Sequence, residues 1–214
     1  LLDLFNELDP NPAGPRRKVS ARTGKITDPG GIASAENQAR LHAREYLSPE
    51  LKLRFEKVAE KYGVSPALIA GIASRESGLG VYLNHDKESV FYGWGDYSRR
   101  KGESHSQYHG FGIMQIDKNT GDTSLQSSYG NTRLDPYSEK HIARGVEIFL
   151  AKLRDVQAKF PHLTEAQQLM TAVSRYNGGK RMPFPSSDAG TTGGDYANDT
   201  LIRARWFAAN WNQI

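Results

Sequence analysis

Glu76 is the residue whose placement asks for a chemical explanation. It follows Ala67-Leu68-Ile69-Ala70-Gly71-Ile72-Ala73-Ser74-Arg75, a stretch that is apolar nearly all round. Ile69, Ile72 and Glu76 stand at i, i+3 and i+7, so a helix over this segment sets a carboxylate on the stripe that faces the core. Gly78 stops that helix and leaves Glu76 in its last turn, where the carbonyl end of the helix dipole opposes a negative charge. Burial and dipole act in the same direction. Both raise the pKa and keep a proton on the group near neutrality, which is what a general acid needs. A buried structural glutamate held by Arg75 or by backbone donors fits the same pattern, so position alone leaves both readings open.

An acid of this kind breaks a glycosidic bond in company with a second carboxylate, placed close as a nucleophile or farther away to activate water. Two aspartates in the loop-rich stretch from 79 to 134 qualify. Asp96 closes Gly93-Trp94-Gly95-Asp96, where the glycines let the backbone turn sharply and the Trp94 indole offers a flat face to a sugar ring. Asp117 closes Gly112-Ile113-Met114-Gln115-Ile116-Asp117, where alternation predicts Gln115 and Asp117 on one side of an extended strand. Taken singly, each aspartate reads more simply as an Asx residue that stabilises a turn. Tyr176-Asn177-Gly178-Gly179 reads first as a helix cap, although a tyrosine and an amide there could hydrogen-bond a carboxylic acid or an N-acetyl group.

Other chemistries find less support. His85, Asp86, His105 and His109 include metal-ligand types, but no helical period aligns them, so no metal is expected. Ser74 and Ser77 lack a histidine and an aspartate arranged to activate them. Thr191-Thr192-Gly193-Gly194 lacks the lysine and spacing of a phosphate loop, and no cofactor is implied. Arg16, Arg17, Lys18, Arg99, Arg100 and Lys101 are divided between two regions with no nucleic-acid motif beside them, so no nucleic-acid partner is expected. The chain has no cysteine, which excludes disulfides, thiolate metal sites and a cysteine nucleophile together.

The elements that must position these residues are mostly helices. At 214 residues, 37% hydrophobic, the chain is long enough for one core and short for two. Residues 1–33, rich in Pro, Gly and charge, predict an extended arm, with Leu1, Leu2, Leu4, Phe5 and Leu8 able to pack it onto the body; residues 34–214 predict one domain. Helical texture begins at Ala35. Ser48-Pro49-Glu50 opens a helix with Leu51, Phe55 and Val58 on its apolar face and Gly63 at its end. Ser65-Pro66 opens the buried helix that carries Glu76. Loops and a small sheet follow. After Pro136, the stripe Ile142, Val146, Phe149, Leu150, Leu153, Val156 and Phe160 predicts a long helix that Pro161 ends. Thr164 and Gln167 form a capping-box pattern for a helix to about Tyr176, and 197–210 supplies the last. The start, Leu1-Leu2-Asp3-Leu4-Phe5, does not read as a signal peptide, and no apolar run approaches the roughly 20 residues of a membrane span. A net charge of +4 suits a polyanionic partner, although solubility alone accounts for it.

Taken in order, Gly31-Ile32-Ala33-Ser34-Ala35, the segment from Ala67 through Glu76 to Ser77, Gly93-Trp94-Gly95-Asp96, Gly110-Phe111-Gly112-Ile113-Met114-Gln115-Ile116-Asp117, Tyr176-Asn177-Gly178-Gly179 and Asp195-Tyr196-Ala197-Asn198-Asp199 resemble the goose-type lysozyme family from about residue 31 to 210. The resemblance implies a predominantly helical, lysozyme-like α+β fold with a small β-sheet beside the cleft. It implies cleavage of the β-1,4 bond between N-acetylmuramic acid and N-acetylglucosamine of peptidoglycan, with inversion, by a monomer secreted or acting at the bacterial cell wall. It makes Glu76 the general acid, Asp96 and Asp117 the residues that position or activate water, and Trp94, Gln115, Tyr176, Asn177 and Tyr196 the substrate-binding set. The acid and base carboxyls of an inverting enzyme stand roughly 6.5 to 9.5 Å apart. Against the bird enzymes, the segments Val81 to Tyr92 and Tyr97 to His109 are longer, which predicts an extra loop or hairpin at the cleft. Gly121 replaces a histidine, and the arm before Gly31 has no recognised counterpart. A lytic transglycosylase shares the glutamate, Gly-Ile-Met-Gln and Tyr-Asn but not the aspartates; a silent wall-binding module would keep the cleft without the chemistry.

Overall fold

The computed structural model describes residues 18–19, 26–28, 30–117, 135–178 and 182–214. The apolar cluster at the start of the arm, Gly121 and Gly179 lie outside these residues. Within the expected arm, β1 (Lys18–Val19) and β2 (Ile26–Asp28) pair antiparallel, so part of that stretch carries ordered backbone pairing that its Pro and Gly content did not suggest.

Six helices follow among the described residues: α1 (Ile32–Tyr46), α2 (Pro49–Tyr62), α3 (Pro66–Ser77), α4 (Glu139–Lys159), α5 (Glu165–Tyr176) and α6 (Tyr196–Asn210). Their ends are set locally. Ser48 and Ser65 accept from the backbone N–H groups of Leu51 at 3.1 Å and Ala67 at 3.2 Å, each with proline at the first helical position. Gly63 and Gly78 close the same two helices in the left-handed conformation. Thr164 and Gln167 form the reciprocal capping box at the start of α5. The first helix begins at Ile32 rather than Ala35, and the last takes in Tyr196. None of the described helices is long and apolar enough to cross a membrane.

The apolar face of α2 (Leu51, Phe55, Val58) and the stripe of α4 (Ile142, Val146, Phe149, Leu153, Val156) are buried, as is nearly every residue of α3. That is why α3 is apolar all round: it packs on α2, on α1 and most extensively on α6. The C-terminal end of α3 meets the N-terminal end of α6, which brings Glu76 to Tyr196.

A three-stranded antiparallel sheet, order β3 (Trp94–Ser98), β4 (Gln107–Phe111), β5 (Ile116–Asp117), lies beside this helical body. Gly110 of β4 pairs with Gly95 on one side and Asp117 on the other. The expected continuous strand through Gln115 is not formed. Residues 112–115 make a turn with φ of 65° at Gly112 and 47° at Gln115, so β4 and β5 are separate strands. Asp96 likewise has a left-handed φ of 48° within β3, a departure from plain alternation.

Candidate active site

An open cleft of about 660 Å³ runs between the end of α3, the sheet, the end of α5 and the segment entering α6. Its size falls within the range of ligand sites, and its lining is rich in charge. Glu76, Asp96, Gln115, Asp117, Tyr176, Asn177 and Tyr196 all line it, so seven of the residues singled out in the sequence meet in one place.

Glu76 sits partly buried at the last turn of α3. Burial pushes its carboxyl up to about 7 from the ordinary 4.5, and the charge of Asp96 pushes the same way. The hydrogen bond from the Tyr196 hydroxyl to Glu76 Oε1 and the nearby Arg75 charge pull it down, and burial wins. Arg75 does not hold the carboxyl. It reaches Asp195 at 3.2 Å and Asp199 at 3.0 Å, and Asp199 is shared with Arg203 at 3.0 Å. Those two aspartates occupy the guanidinium, which leaves Glu76 to Tyr196 and the cleft.

Tyr196 is 2% exposed, and burial raises its hydroxyl well above the ordinary phenol range, so it acts as a donor at any working pH. Removing that donor should raise the Glu76 pKa further. Tyr196→Phe is therefore expected to shift the alkaline limb of the pH–activity profile upward, read as kcat/KM against pH; a limb unmoved or moved downward would refute the contact.

The polar groups around the acid are oriented by neighbours. Tyr176 donates its hydroxyl to the Met114 carbonyl at 2.9 Å, which ties the end of α5 to the turn before β5. Asn177 Oδ1 accepts from the Thr192 N–H at 2.9 Å, so its amide NH2 is turned to donate elsewhere. Gln115 Nε2 donates to the Gly112 carbonyl at 2.9 Å, and its amide lies directly over Gly95 and Gly110, where a Cβ would come within 2.6 and 2.5 Å of Oε1. A side chain at either position would push the Gln115 amide out of this place.

The remaining prediction for the cleft, Trp94, is corrected. Its side chain is 2% exposed and packs edge-on against Phe111 at 5.4 Å, its partner across the strands. It offers no face to a sugar and instead fills the core behind the sheet. His109 is also buried, 3.2 Å from Glu103 and from the Ser98 carbonyl, whereas His105 is exposed beside Ser104. Among the described residues, no three His, Cys, Asp or Glu side chains gather as a cation cage.

Arg100 is the cleft residue that the sequence reading passed over. It comes from the hairpin turn between β3 and β4, in the segment expected to border the cleft, and bonds both Asp96, at 2.9 Å, and Asp117. Its spacing of four from Asp96 was visible, but the meeting with Asp117 depends on strand register. Arg75, Tyr82 and Thr192 also line the cleft.

A family model described as Lysozyme g matches residues 19–210. A lysozyme g of Epinephelus coioides is 37% identical over 157 residues, covering 72% of each chain. Lysozyme g of Casuarius casuarius is 36% identical over 159 residues, 73% of this chain and 71% of the relative. Lysozyme g of Takifugu rubripes is 35% identical over 184 residues, 85% of each chain. The family match begins at residue 19, so the later part of the expected arm does have a counterpart. With nearly the whole described structure inside that match, and Glu76 at its cleft, this chain belongs to the lysozyme g family.

Proposed function

We propose that this chain is a muramidase that hydrolyses the β-1,4 bond between N-acetylmuramic acid and N-acetylglucosamine of peptidoglycan, with inversion at the anomeric carbon. The family supplies the reaction class, that of a peptidoglycan-cleaving glycoside hydrolase. The observation that carries the assignment of roles is a carboxyl pushed up to about 7, set in a cleft that two further carboxylates share.

In this reading Glu76 gives its proton to the glycosidic oxygen as the bond to the anomeric carbon breaks. A water held by Asp96 and Asp117 adds to that carbon from the opposite face and passes its proton to one of them. Glu76 is left ionised, stabilised by the Tyr196 hydroxyl and the Arg75 charge, and regains a proton from solvent. Asn177 and Gln115 present amides suited to the N-acetyl groups of the substrate, and Tyr176 walls the site beside the acid. The modest excess of positive charge favours an anionic wall polymer, and the site of action is the bacterial cell wall outside the producing cell.

Digestion of purified peptidoglycan tests the chemistry. Hydrolysis gives reducing-end fragments that retain the added water, and the first product observed by NMR should be the α-anomer. Fragments one water lighter, with 1,6-anhydro ends, would establish a transglycosylase, a β-anomer would establish retention, and wall binding without lysis would establish a silent module. Asp96→Asn and Asp117→Asn should each lower kcat on the order of 100-fold, the scale of a lost general base; either variant keeping near-full activity removes that aspartate from the mechanism.

A further inference from the structure

The β3–β4 hairpin ends in a turn that none of the steps above uses, yet it is built to present one side chain to the cleft. The Arg100 backbone N–H donates to Glu103 Oε2 at 2.8 Å, and Arg99 Nε donates to the Glu103 carbonyl at 2.9 Å. The Glu103 carboxylate lies 3.2 Å from Nε2 of His109, which is fully buried at the base of the hairpin. From this turn the Arg100 guanidinium reaches Asp96 Oδ2 with one nitrogen and Asp117 Oδ2 with the other. Ser98 holds the second Asp96 oxygen, donating to Oδ1 at 3.0 Å.

Stability does not account for the arrangement. The side chains of Arg100, Asp96 and Asp117 are 41%, 46% and 35% exposed, and ion pairs so open to water contribute little to folding. Geometry does account for it. Asp96 and Asp117 come from strands on either side of β4, so their backbones stand roughly 10 Å apart, twice the interstrand spacing. A planar guanidinium with several donors can span two such carboxylates and fix both.

We propose that Arg100 is a positioning residue for the hydrolytic step, holding Asp96 and Asp117 side by side so that together they grip the attacking water. This rests on the reading of the two aspartates as the water-activating pair. Among the described residues, the other charged or titratable groups lining the same cleft are Glu76 and Arg75 from α3, Tyr82 from the segment after it, Tyr176 from α5 and Tyr196 from α6. Arg99, Lys101 and Glu103 share the turn with Arg100, and Glu103 is the one that fixes it.

The test compares Arg100→Gln and Arg100→Lys with Asp96→Asn and Asp117→Asn, each assayed for peptidoglycan hydrolysis from about pH 4 to 8. Arg100→Gln should lower kcat about tenfold or more with KM within about twofold, the signature of an interaction needed for reaction rather than binding. Arg100→Lys should restore only part of the lost kcat, since an ammonium brings the charge without the fork. The melting temperature should stay within about 2 °C of the parent, as exposed pairs predict. Full kcat in Arg100→Gln, with both aspartate variants impaired, would overturn the role of Arg100 and leave the aspartate pair standing. A rise in KM at constant kcat would make Arg100 a substrate contact and overturn it too. Retained activity in both aspartate variants would instead bring down the mechanism on which it rests.

Discussion

Glu76→Gln should lose about a thousandfold in kcat, the middle of the range for a positioned general acid, and should gain stability above neutral pH. The amide keeps the shape and can still accept the Tyr196 hydrogen bond, so KM should hardly move. What it lacks is the proton. A variant that keeps a tenth or more of the parent's lytic rate would mean that another group protonates the leaving oxygen.

The stability half follows from the sign of the pKa shift. Glu76 is raised in the folded protein from 4.5 to about 7, chiefly by burial. Below the unfolded value the group is protonated in both states and contributes no difference. As pH rises through 4.5 to 7 the unfolded chain ionises first, and folding then holds a carboxyl protonated or ionises it where it is poorly solvated. Stability is lost over that window, up to about 3 kcal/mol at the upper end, given 1.36 kcal/mol per pKa unit. Gln does not titrate and escapes the loss. The melting temperatures of parent and variant should therefore coincide near pH 4, with the variant several degrees higher by about pH 8. A difference that does not grow with pH would show that the carboxyl is well solvated, and the case for Glu76 as the acid would fall with it.

Glu76 was legible because its signal is local: a carboxylate on an apolar helix beside a stop glycine needs no knowledge of the rest of the chain. The helices were legible for the same reason. Ser48-Pro49 with Gly63, Ser65-Pro66 with Gly78 and Thr164 with Gln167 satisfy their own helix ends through bonds spanning a few residues. The partners of each side chain were not legible. Arg75 beside Glu76 suggested an ion pair, but Asp195 and Asp199, which take it, arrive only when α6 packs on α3. Trp94 in a glycine-rich loop suggested an open indole, but pairing with Phe111 turns it inward. Alternation over 112–117 suggested one strand, but the Ile113 N–H goes to the Pro136 carbonyl at 3.1 Å and the Gln115 N–H closes a turn on the Gly112 carbonyl at 3.0 Å. Arg100 read as one basic residue among several until strand register set Asp96 and Asp117 within its reach. In each case the missing information was a contact between segments distant in sequence.

Gly112→Ala should be the most damaging small substitution near the cleft, with a loss of about 3 kcal/mol or more. Two effects add. A left-handed φ of 65° disfavours any residue with a Cβ by roughly 1–2 kcal/mol, and that Cβ would lie 2.2 Å from His141 Nε2. The imidazole has nowhere to go. It is 1% exposed, packs edge-on to Phe111 at 5.4 Å and accepts the Met114 N–H at 3.2 Å, so overpacking adds roughly 1–3 kcal/mol. Activity should fall with stability, because Gln115 bonds the Gly112 carbonyl through both its backbone N–H and its side-chain amide, and Met114 receives the Tyr176 hydroxyl. Gly63→Ala is the matched comparison: φ there is 64°, but nothing lies within 4 Å of the new Cβ, so only the backbone effect remains. Chemical denaturation of the two variants separates the contributions. If Gly112→Ala proves no less stable than Gly63→Ala, His141 yields to the added methyl, and the turn carrying Gln115 toward Asp117 is not held as tightly as its hydrogen bonds require.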